Sequence, residues 1–229
     1  MLAGDFEEHF REFVRNFGGT VLPENDAESA DFLFPQDSVV AELKTLQQDA
    51  RLEHATRLQA LVNDWMKRRL MMAFGRPTIS LRELNPVCQR EWLHILQAPV
   101  QRLIHKANRQ IRSTKQSSNL PNARGLLLIA NDGNLLHTSP TDYMILVSRV
   151  LQKKKPTRER QFPHIFAVVY FSYRVGSRDE GVPFWVGGDI DPKGDARMRE
   201  FQERLRHGWF SYIGQVTGLP VKEVLKPIE

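Results

Sequence analysis

Only one cysteine, Cys88, occurs in 229 residues. No disulfide can form within the chain, which suits a reducing compartment. Long apolar runs are missing as well. The longest, near 126–130 and 165–171, are far too short to span a bilayer. The chain opens with Asp5, Glu7 and Glu8, the wrong sign for a secretory leader. These absences lead us to expect a cytoplasmic protein with no membrane role. No glycine-rich phosphate loop is present, which argues against ATP or GTP chemistry. The 7 histidines never recur at i, i+4, so nothing resembles a helical zinc site. Ser139 and Ser148 lack the glycine flanks of a nucleophile elbow. No repeat or low-complexity segment is found.

What is present is ordinary in bulk. Hydrophobic residues make up 41% and charged residues 26%, enough at this length to build a core without metal or disulfide. The formal charge is +5. An excess of Lys and Arg favours polyanionic partners, because each contact with a phosphate releases a counterion.

Periodicity divides the chain into helices and strands. Phe6, Phe10, Phe13, Val14 and Phe17 fall at helical spacing, predicting a helix over 4–17 that Gly18-Gly19 ends. Short strands follow over 20–22, 31–34 and 39–46, the last two joined by Pro35-Gln36-Asp37-Ser38. Helices are predicted over 50–73 and 91–113, with Pro99 a candidate kink. The continuous apolar run at 125–130 reads as a strand buried on both faces. A helix over 142–151, strands over 164–173 and 182–186, and a helix over 197–216 complete the order. The expected fold is α/β, a single domain over 1–229. It has a mixed central sheet flanked by helices and a helical insertion at about 50–115, after the third strand.

The chemistry-bearing stretch runs from Asp31 to Glu42-Leu43-Lys44. Glu42 and Lys44 are two apart on a predicted strand, so both point to one face and Leu43 to the other. Asp31 opens the preceding strand of the same hairpin, and antiparallel pairing can bring it beside Glu42. Two carboxylates with an amine at hand suit a hard cation such as Mg²⁺ or Mn²⁺. The backbone carbonyl at Leu43 would be a third ligand, leaving positions for water and a phosphate oxygen. Lys44 could orient or deprotonate the attacking water, or neutralise charge as the phosphorane forms. The competing reading is a solvated strand face carrying a cross-strand acid–base pair.

Asp, about ten residues, then Glu-Leu-Lys on the next strand resembles the PD-(D/E)XK nuclease superfamily, also called restriction-endonuclease-like. Ala30 stands where that family often has proline. The resemblance covers about 4–46 well and 91–132 loosely. It implies a metal-dependent endonuclease, acting on DNA more than RNA, of the kind found in prokaryotic defence or mobile-element systems. It leaves room for a homodimer. It also implies an acid on the first helix, for which Glu8 is preferred over Glu12 and Glu7. The alternative is the same fold with a weak or inactive site, holding nucleic acid or a protein.

Other signals are weaker. Arg102, Lys106 and Arg109, with Arg112 and Lys115 beyond, make a basic helix face that could track phosphates or could simply be solvated. The same two readings apply to Lys153, Lys154, Lys155, Arg158 and Arg160. The run from Asp189 to Glu200 nearly matches a calcium loop. However, Lys193 occupies a ligand position and a strand precedes it, so Asp195 reads better as a helix cap.

Overall fold

The structure is a computed structural model that describes residues 6–23, 28–72, 80–137, 139–172, 184–190 and 195–220. Its elements are α1 (Phe6–Asn16), β1 (Thr20–Val21), β2 (Phe32–Phe34), β3 (Val39–Leu46), α2 (Arg51–Lys67), α3 (Pro86–Ser117), β4 (Arg124–Asn131), α4 (Pro140–Leu151), β5 (Ala167–Ser172), β6 (Phe184–Asp189) and α5 (Ala196–Thr217). The six strands form one sheet in sequential order. β1, β2 and β3 are an antiparallel meander; β4 is parallel to β3 and β5 to β4; β6 returns antiparallel. The expected α/β class with a mixed sheet is thus observed, and α2 and α3 lie between β3 and β4 as expected.

Strand alternation distributes the core to two faces. One face carries Val39, Ala41, Leu126, Leu128, Val169 and Phe171 and is covered by α1 and α5. There Phe6, Phe10, Phe13 and Trp209 pack ring against ring, with Phe10 and Trp209 centroids 4.9 Å apart. The other face carries Val40, Leu127, Ile129, Val168 and Tyr170 and is covered by α3 and α4. β4 and β5 contribute to both clusters, which explains their unbroken apolar runs.

Expected boundaries moved at α3 and β6, and α2 buries less than its pattern suggests. α3 begins at Pro86, five residues early, because the Asn85 side chain accepts from the Val87 and Cys88 N–H groups and Pro86 takes the first helical position. β6 continues through Gly187-Gly188 to Asp189. A Cβ at Gly187 would lie 2.7 Å from the Gln202 side-chain oxygen, so a larger residue there would displace the end of that side chain. α2 shows an apolar side in sequence, yet only Val62 and Trp65 are buried on it, and Leu52 is 81% exposed. Val62, Trp65 and Cys88 form a small cluster apart from the sheet, joining α2 to the first half of α3. Of the four tryptophans expected in the core, Trp65 and Trp209 are fully buried and Trp92 and Trp185 are half-buried.

Asp195 does cap α5, accepting from Arg197 N–H at 3.0 Å. Residues 191–194 of the calcium-like run lie outside the described residues, as do 173 and 182–183 of the two late strands. Among the described residues, no helix is long and apolar enough to cross a membrane.

Candidate active site

The β2–β3 register pairs Phe32 with Ala41. Extended by one residue, it sets Asp31 directly opposite Glu42. Directly opposed side chains have Cβ atoms about 4.5–5.5 Å apart, and like charges there repel. Glu42 lies on the α3 face of β3 and is 0% exposed. Lys44, two residues on, shares that face and forms an ion pair with Glu42 Oε1. Leu43 points its side chain to the opposite core. The hairpin therefore brings Asp31, Glu42 and Lys44 together as the alternation predicts.

Asp31 is oriented by the backbone. Its Oδ2 accepts from the Leu43 N–H at 2.7 Å. In an extended residue the N–H and C=O point to the same side. The Leu43 carbonyl therefore also faces the Asp31 side of β3, beyond the end of β2.

Helix α3 supplies the rest of the scaffold. Gln110 accepts from Lys44 Nζ at 3.0 Å and donates to the Ser29 carbonyl at 3.0 Å. One turn later, Thr114 Oγ1 accepts from the Ala30 N–H at 2.7 Å. Residues four apart on a helix share a face, so α3 grips the two residues that lead into Asp31. Sequence reading missed both groups. Their signal was available: Gln110 and Thr114 interrupt the buried stripe Ala107, Ile111 at helical spacing, where a polar residue needs a partner.

The electrostatics of the acid pair are unfavourable in isolation. Burial first, and then the Asp31 charge, push Glu42 up to about 8, against the pull of Lys44. Burial also raises Asp31, although the Leu43 N–H and Lys44 oppose it. Glu42 Oε2 is buried with no hydrogen-bond partner. A buried charge without full pairing is costly. The arrangement calls for either a proton or a cation between the two carboxyl groups.

The donor set fits a hard divalent cation. Mg²⁺ is commonly held by one or two carboxylates with water and substrate phosphate completing the shell. Asp31, the orphaned oxygen of Glu42 and the Leu43 carbonyl are oxygen donors of that kind. Among the described residues no group of three or more His, Cys, Asp or Glu side chains converges to hold a metal, so the acids number two.

Of the first-helix acids, Glu7 and not Glu8 stands near the pair. Glu8 is exposed, and Glu12 accepts from the Tyr212 hydroxyl at 2.8 Å. Glu7 instead accepts from Thr45 Oγ1 at 2.7 Å, and its charge bears on Asp31. The reason is helical phase. Glu7 precedes buried Val14 by seven residues, nearly two full turns, whereas Glu8 lies across the helix from Phe6 and Phe10.

The basic face of α3 is only partly as expected. Arg102, Lys106, Arg109 and Arg112 are exposed, with Arg109 paired to Glu28. Lys115 is not part of that face; it is 5% exposed, turned inward at the helix end. Lys153 joins the neighbouring basic loop to α3 through Gln101, Nζ to Oε1 2.7 Å.

Compared with known proteins, the chain matches no family model, no curated protein and no solved structure.

Proposed function

We propose that this chain is a nuclease of the PD-(D/E)XK type that hydrolyses phosphodiester bonds of nucleic acid, DNA more than RNA, using Mg²⁺ or Mn²⁺. The observation that carries the reading is the directly opposed pair of half-buried Asp31 and buried Glu42, with Lys44 on one Glu42 oxygen and the other oxygen unpartnered. The element order supports it. A helix, a three-stranded meander, a helix and a fourth strand are the order that the family core implies, and this chain has that order with α2 as an added helix.

Asp31, Glu42 and the Leu43 carbonyl would hold the metal. Once bound, it would polarise a phosphate oxygen and acidify a water. The chain's own groups do the positioning. An ammonium has three donors, and Lys44 spends two on Glu42 and Gln110. The third is left for the attacking water or a non-bridging phosphate oxygen, where it steadies developing charge. The exposed Arg102, Lys106 and Arg112 would contact backbone phosphates without reading sequence.

The two-acid set also favours a second reading, in which a proton replaces the metal and the module binds without cutting. Incubation of plasmid and of RNA with Mn²⁺ separates them. Cleavage by the wild type that Lys44→Met and Asp31→Asn both abolish supports the enzyme. Salt-dependent DNA binding that is identical in all three proteins, with no cleavage, supports the silent module. No binding at low salt overturns both.

A further inference from the structure

Lys115 is a buried lysine with no acid. It is 5% exposed, and among the described residues its ammonium has neither a hydrogen bond nor an ion pair. The ammonium instead faces a ring: Nζ lies 5.0 Å from the centroid of Phe166. Phe166 itself is 40% exposed, at the mouth of β5. Lysine is almost never buried unless paired, and a ring face returns only part of the lost hydration.

The surroundings are basic as well. His164 lies two residues before Phe166, and besides burial the charges of Lys115, Arg112 and Lys155 all depress its protonation. Arg112 and Lys155 are exposed, and the Lys155 ammonium has a loose ion pair with Glu159 at 3.6 Å. Burial by itself lowers Lys115, to about 8, with no carboxylate acting on it. Three cations, from α3 and the 153–160 loop, thus lie near enough to His164 at the entry to β5 for their charges to act on it, and the buried Lys115 ammonium sits against Phe166. Their repulsion is relieved by a multivalent anion.

We infer that Lys115, Arg112, Lys155 and His164 form a phosphate-binding subsite, with the open face of Phe166 beside it. The ligand is a phosphoryl group, either in a polynucleotide backbone or on a small phosphorylated molecule. The inference does not need cleavage at Asp31 and Glu42, and the two fail separately.

Inorganic phosphate is the first probe, measured by thermal unfolding against chloride at equal ionic strength. The wild type should gain roughly 3–6 °C at about ten times the dissociation constant. Lys115→Met keeps the buried stem and removes the charge; it should fold and lose the gain. Arg112→Ala and Lys155→Ala, being surface changes, should each reduce it without loss of fold. A single-stranded oligonucleotide is the second probe. If Lys115→Met weakens oligonucleotide binding about tenfold, the source is a backbone phosphate. If it abolishes only the inorganic phosphate response, the source is a small phosphorylated ligand. A wild type that responds to phosphate no more than to chloride, or a Lys115→Met protein that responds equally, overturns the subsite.

Discussion

Lys44 on β3 and Gln110 on α3 are 66 residues apart in sequence, and the lysine donates to the Gln110 side chain at 3.0 Å. Because Gln110 also holds the Ser29 carbonyl, one side chain ties the amine to the segment that presents Asp31. A hydrogen bond of this kind contributes about 0.5–1.5 kcal/mol. Gln110→Ala should therefore slow cleavage by roughly 3–10-fold, with the loss in kcat more than in KM. Gln110→Glu, which can still accept from Lys44, should retain more of the rate. Single-turnover cleavage of plasmid would check both.

The acid pair should make metal-free stability fall as pH rises. Glu42 has a folded pKa of about 8 against an ordinary 4.5, so the folded state binds its proton more tightly than the unfolded state. Its favourable contribution is complete below about pH 4.5 and is lost as pH climbs to about 8. The slope is up to about 1.4 kcal/mol for each pH unit crossed. Urea unfolding in chelator at pH 5, 6, 7 and 8 should show this decline, and Glu42→Gln should flatten it. An unchanged slope in Glu42→Gln would mean that other groups control the pH response.

Divalent metal should reverse that trend. A cation between Asp31 and Glu42 displaces the proton, so Mn²⁺ should raise the melting temperature more at pH 8 than at pH 6. Asp31→Asn should remove the rise at both. Proton release on Mn²⁺ addition, followed by titration calorimetry in two buffers, gives a second readout.

The two neighbouring acids of α1 should behave differently. Glu7 bonds Thr45 and its charge reaches Asp31, whereas Glu8 is exposed. Glu7→Gln should shift the Mn²⁺ dependence of melting and of cleavage several-fold, and Glu8→Gln should leave both within error. Equal effects from the two would remove α1 from the site.

Gly125 marks where β4 enters the sheet. A Cβ there would stand 1.9 Å from the His164 carbonyl oxygen. Backbone must move to admit it, so Gly125→Ala should cost about 1–3 kcal/mol or more. Thermal unfolding would read this as a drop of roughly 2–4 °C for each kcal/mol.

Local pattern carried much of this chain. The phenylalanine stripe of α1, the two-residue period of β3, the apolar runs of β4 and β5 and the cap at Asp195 depend on neighbours in sequence, so composition and spacing were enough. The same period by itself puts Glu42 and Lys44 on one face. Tertiary structure decided what depends on distant segments. The β2–β3 register set Asp31 against Glu42, and α3 brought Gln110 and Thr114 onto residues about 80 positions away, separations of 81 and 84. Helical phase chose Glu7 over Glu8, and the end of α3 turned Lys115 from an apparent surface charge into a buried one. A period reports which side of an element a residue occupies. Only packing determines what stands opposite, and the charge state of a buried acid or amine follows from that.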